Sequence, residues 1–84
     1  MLTETITYTQ DIPFHIRPIS VFINTVKQSG CKVTITKGNT TVAANSTMKL
    51  LQLCVSKNDQ MTIRVEGENE QQVLKTLVDI VMDE

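Results

Sequence analysis

Tryptophan is absent from the chain, and Tyr8, Phe14 and Phe22 are its only aromatic residues. That is too few for the aromatic stacking platform of a small RNA-binding α/β domain. Nor is there an excess of positive charge: eight Lys and Arg stand against nine Asp and Glu, a formal net charge of −1. Such a balance offers no general attraction to a polyanion or an anionic membrane, so no nucleic-acid partner and no membrane insertion are expected. Long apolar runs are also missing. Met1, Leu2, Thr3 and Glu4 lack the basic region and apolar core of a signal peptide, which predicts a cytoplasmic protein. The two cysteines, Cys31 and Cys54, are far apart and form neither a CxxC nor a Cys/His pairing. That spacing indicates neither a zinc site nor a disulfide framework, and Cys54 is expected as a small core filler. No metal and no organic cofactor are implied. Only three Gly and two Pro occur, 40% of the residues are hydrophobic and 20% charged, which excludes a fibrous or disordered chain. At 84 residues, the expectation is one small domain over 1–84.

What is present is periodic. Leu2, Glu4, Ile6 and Tyr8 alternate with Thr3, Thr5 and Thr7, a strand whose inward face the pattern leaves open. After a polar turn from Gln10 to Pro13, the residues Ile19, Phe22, Ile23 and Val26 make one stripe of a helix, with Pro18 near its start and Ser29-Gly30 at its end. Val33 and Ile35, the turn residues Lys37-Gly38-Asn39 and the extended Thr40 to Ala44 predict a hairpin. A short helix from about Thr47 to Val55, capped by Asn45 or Ser46, would bury Leu50, Leu53 and Cys54 and turn Thr47, Met48 and Leu51 elsewhere. Met61, Ile63 and Val65 predict a fourth strand, broken by Gly67. Asn69 then caps a last helix with Val73, Leu74, Leu77, Ile80 and Val81 as its stripe. The fold class expected is α+β: a two-layer open-faced sandwich, β-α-β-β-α-β-α, with a four-stranded antiparallel sheet and three helices on one face.

One constellation can carry chemistry. His15 is the single histidine, placed just before the first helix in Phe14-His15-Ile16-Arg17-Pro18. Backbone N–H groups without intrahelical partners and the helix dipole favour an anion at such a place. Arg17 adds a planar donor fork that suits phosphate oxygens. An imidazole is neutral and nucleophilic for much of the time near neutral pH, so this pair could accept, hold and release a phosphoryl group. The plainer reading makes His15 a solvated capping residue and Arg17 a surface charge.

His-x-Arg-Pro here, Asn45-Ser46-x-Met48-Lys49 some thirty residues later, Glu66-Gly67-Glu68-Asn69-Glu70 before the last helix, and the element order together resemble HPr, the histidine-containing phosphocarrier family of the bacterial sugar phosphotransferase system. The resemblance covers essentially the whole chain. It implies that His15 accepts a phosphoryl group at Nδ1 from phosphorylated enzyme I and hands it to the IIA component of a sugar permease. It implies that Arg17 shares the phosphate's charge. It implies a protein that is a substrate of other enzymes and catalyses nothing alone. The chain departs from the usual family pattern with Pro13, Ile16 and Ile19. Ser46 matches the family's regulatory serine, which implies a serine kinase/phosphorylase and a catabolite-control transcription regulator as further partners. Its plainer role is a helix cap. Met48 and Leu51 lie off the buried stripe and, with Ile16, are expected to form an exposed patch beside His15. Ser20, Thr47 and Lys49 complete the expected partner-binding set. The competing reading is a regulatory module of the same fold, acting through phosphorylated Ser46 with little role in sugar transport.

Overall fold

The computed structural model describes residues 1–9 and 16–82, with Ile16 described by its backbone alone. The expected turn at Gln10 to Pro13, and His15 itself, lie outside the described residues. Among the described residues seven elements follow one another: β1 (Leu2–Thr7), α1 (Ile16–Ser29), β2 (Lys32–Lys37), β3 (Thr40–Ala43), α2 (Thr47–Leu53), β4 (Gln60–Glu66) and α3 (Glu70–Met82). The strands form one antiparallel sheet in the order β1-β4-β2-β3. Leu2 pairs with Val65, and Val65 with Val33, so apolar side chains fall in register on one face.

Val33, Ile35, Met61, Ile63 and Val65 are buried on that face, where α3 packs on β1 and β4, α2 packs on β3, and α1 packs between α2 and α3. The stripe of α1 is realised: Ile19, Phe22, Ile23 and Val26 are all buried, each large side chain contributing about 1.5–3 kcal/mol on burial. Ile19, a departure from the family pattern, is thus a core residue. Leu74, Leu77 and Val81 bury the matching stripe of α3, with Val73 and Ile80 half-buried beside it. Among the described residues no polar or charged side chain is buried.

The opposite face of the sheet carries hydroxyls. Thr5 pairs with Thr62 and Thr36 with Thr41 across neighbouring strands, Oγ1 to Oγ1 at 2.9 and 2.8 Å. The unresolved facing of β1 is settled accordingly: Leu2 and Ile6 turn to the core, whereas Thr3, Thr5 and Thr7 are exposed.

Two expectations fail at α2. The helix ends at Leu53 rather than Val55, because Cys54 takes a left-handed backbone, φ 54° and ψ 49°, and its N–H bonds the Leu51 carbonyl at 3.1 Å. That reversal turns Cys54 out of the core. It is exposed, and the buried thiol is Cys31. The 3.6-residue period applies only while the backbone stays helical, so extrapolating it one residue past the end of α2 put Cys54 on the wrong side.

Candidate functional site

The candidate surface is built on α1 and α2. Thr25, Gln28 and Ser29 of α1 line a groove against Asn69, Gln72, Val73 and Thr76 around α3. Ser20, Ile23 and Lys27 recur at helical spacing on the flank of α1 away from that groove. Ser20 and Arg17 are exposed, and Arg17 is ion-paired to none of the described residues. On α2, Leu50 and Leu53 point into the core, which leaves Met48 66% and Leu51 38% exposed. Lys49 is exposed and Thr47 half-buried. The structure therefore exposes Met48 and Leu51, three residues apart on one side of α2 and off its buried stripe as expected, and Lys49 is exposed on the neighbouring side. The side chains of Ile16 and His15 lie outside the described residues.

Charge on this surface has one sign. Arg17 and Lys27 are the charged residues of α1, Lys49 is that of α2, and neither helix contains an acidic residue. Exposed apolar groups on helices whose charged residues are all cations suit a partner surface that is partly apolar and acidic.

Ser46 stands at the N-cap of α2 with an extended backbone, φ −148° and ψ 125°, and its carbonyl accepts the Leu50 N–H at 3.3 Å. Its side chain makes no capping hydrogen bond. The position is that of a cap, but the hydroxyl does not do a cap's work. Asn69 likewise precedes α3 and accepts the Val73 N–H at 3.0 Å through its carbonyl, but its backbone is left-handed, φ 59°.

Sequence patterns gave no hint of Lys37 and Asp59. Lys37 Nζ donates to the carbonyls of Leu53 and Cys54 at 2.9 and 2.8 Å and lies 3.2 Å from Asp59 Oδ2. The Ser56 N–H, foremost, and the Lys37 ammonium hold the Asp59 carboxyl below its ordinary value. Flanking a hairpin turn, Lys37 reads as a solvated charge, and no local period reveals that it reaches the end of α2.

The family model described as the phosphotransferase-system (PTS) HPr component phosphorylation site matches residues 2–83. The phosphocarrier protein HPr of Haemophilus influenzae is 33% identical over 67 residues, covering 80% of this chain and 79% of that protein. The multiphosphoryl transfer protein of Salmonella typhimurium is 34% identical over 70 residues, 80% of this chain but 19% of that much longer protein. Among solved structures, HPr-C-His from Thermoanaerobacter tengcongensis aligns with a TM-score of 0.87 at 30% identity, covering 96% of this chain and 91% of that one. With a family match from one end of the chain almost to the other, and a fold that agrees element by element, the chain belongs to the HPr family of phosphocarrier components of the phosphotransferase system.

Proposed function

We propose that the chain carries a phosphoryl group on His15 between phosphorylated enzyme I and the IIA component of a sugar permease. The observation that carries this reading is the pair of helices α1 and α2: Met48 and Leu51 are exposed on α2, and the charged residues of the two helices are Arg17, Lys27 and Lys49, with no acidic residue on either. In the transfer step the Nδ1 lone pair of His15 forms the new bond to phosphorus, and the donor's bond to phosphorus breaks with its electron pair returning to the donor. Arg17 offsets the phosphate charge with a planar donor fork. Stabilisation by the helix start is about 0.3–1 kcal/mol per charge, modest enough for the cargo to be passed on. Ile16, Ser20, Thr47, Met48, Lys49 and Leu51 supply docking, and their role is contact rather than chemistry.

The decisive experiment incubates the protein with phosphoenolpyruvate and enzyme I and looks for an acid-labile phosphohistidine by phosphorus NMR or mass spectrometry. The parent should take up one phosphoryl group and His15→Ala none. Acid-labile phosphate persisting in His15→Ala would sink the assignment.

A second reading draws on the Ser46 hydroxyl, which no capping bond occupies. A serine kinase/phosphorylase would add about two negative charges there, beside Met48 and Lys49. The phosphorylated chain would then serve as a regulatory module that recruits a catabolite-control transcription regulator.

A further inference from the structure

Helix α2 is held at its C-terminal end from outside itself. It has seven residues and no basic residue in its last turn, and a helix that short does not persist alone in water. Lys37, the last residue of β2, supplies the missing cation to the Leu53 and Cys54 carbonyls, where a positive charge suits the helix dipole. Cys54 keeps a left-handed backbone that a residue with a Cβ seldom adopts. It is held at both ends, its N–H on the Leu51 carbonyl and its carbonyl on Lys37 Nζ.

Asp59 extends the grip to a second element. Its Oδ2 faces Lys37 Nζ and accepts the Ser56 N–H at 2.9 Å. Its backbone carbonyl accepts the Tyr8 N–H, while the Asn58 N–H donates to the Tyr8 carbonyl, both at 2.8 Å. Tyr8 directly follows β1, and from it the chain runs on towards His15. One residue therefore ties the end of α2, through its side chain, to the end of β1, through its main chain.

We propose that Lys37 and Asp59 are positioning residues for phosphoryl transfer, setting where α2 presents Met48 and Leu51 relative to the segment that leads to His15. The proposal rests on the carrier reading above and adds to it the part that registers the docking surface. Neither side chain is assigned a contact with phosphate, so their loss falls on the encounter with the partner and not on the chemical step.

The test compares the parent with Lys37→Met, Asp59→Asn, the double variant and Lys37→Arg in the full chain, with Val81→Ala as a destabilised control from the core. Enzyme I phosphorylates each at varied carrier concentration, and amide exchange at Leu53 to Val55 and thermal melting are followed in parallel. Each single variant should raise KM about three- to tenfold with kcat within about twofold. The double variant should be no worse than the worse single, because the two act as a unit. Lys37→Arg, which keeps the cation, should recover most of the loss. Faster exchange at Leu53 to Val55 with an unchanged KM overturns the proposal, and so does an equal rise in KM for Val81→Ala at a matched loss in melting temperature. If the parent itself accepts no phosphate on His15, the carrier reading falls and takes this proposal with it. Normal transfer by the parent and all variants removes the proposal alone.

Discussion

Gly67→Ala tests how the connection from β4 to α3 is built. Gly67 has φ +148°, and a Cβ placed on its backbone would stand 3.0 Å from Cys31 Sγ, 3.2 Å from Cys31 Cα and 3.3 Å from Cys31 Cβ. Two costs combine. Holding an L-residue in a sparsely populated backbone region costs about 1–3 kcal/mol, and forcing a methyl group against a packed neighbour costs about 1–3 kcal/mol more. Part of the second is relieved if the connection shifts, so a net loss of about 2–4 kcal/mol is expected. In a domain of this size each kcal/mol moves the melting temperature by about 4–8 °C, which places the variant about 8–32 °C below the parent. Thermal melting followed by circular dichroism, with urea titration for the midpoint and slope, measures this directly. Cys31→Ala in the same chain removes the sulfur but leaves the Cα and Cβ contacts. The double variant should therefore recover less than half of the loss. A melting temperature within about 2 °C of the parent would refute both the strain and the contact, since it corresponds to under about 0.5 kcal/mol.

Leu77→Ala, emptying a fully buried position on α3, should cost about 2–5 kcal/mol in urea unfolding, whereas Gln71→Ala on the exposed side of the same helix should stay within about 0.5 kcal/mol. Asp59→Asn should show a pH-dependent deficit: a carboxyl held below its ordinary value of 3.8 adds stability above that value and loses it as pH falls through the lowered one. The gap in melting temperature between parent and variant should therefore be full at neutral pH and close below pH 3.8; a gap constant with pH would contradict the linkage. Ser46→Asp should leave melting nearly unchanged, because the hydroxyl it replaces makes no capping bond, yet slow phosphorylation of His15 by enzyme I at low salt. Equal rates at low and high salt would reduce Ser46 to a structural position.

The helix stripes were legible because a surface helix repeats its buried contacts every turn, so Ile19, Phe22, Ile23 and Val26 announce α1 without reference to the rest of the chain. Met48 and Leu51 were legible for the converse reason, falling off the stripe of Leu50 and Leu53. Cys54 was not, because the residue that leaves a helix in the left-handed region is most often Gly, and a cysteine there gives no warning. The facing of β1 was hidden by its composition: Glu4 shares its side with Leu2 and Ile6, and threonine suits either face of a sheet. Lys37 and Asp59 were invisible for a deeper reason. Their contact joins the edge of a hairpin to the end of a helix and to a later loop, and such meetings belong to the fold and not to any window of sequence.

The strand order also bears on how the protein is made. β4 lies between β1 and β2 and pairs with both, yet it is the last strand to be synthesised. Until Gln60–Glu66 has left the ribosome, β1 has no neighbour to bond and the β2–β3 hairpin stands alone, marginal as isolated hairpins are. At about 5–20 residues per second, the N-terminal strand waits for several seconds as an open edge of alternating threonine. Sheet closure is then a late event that inserts β4 between two pieces already waiting. The alternating Thr3, Thr5 and Thr7, with Glu4 among them, make that wait safer than a run of aliphatic side chains would, because a nascent edge with this pattern offers little apolar surface to other unfinished chains.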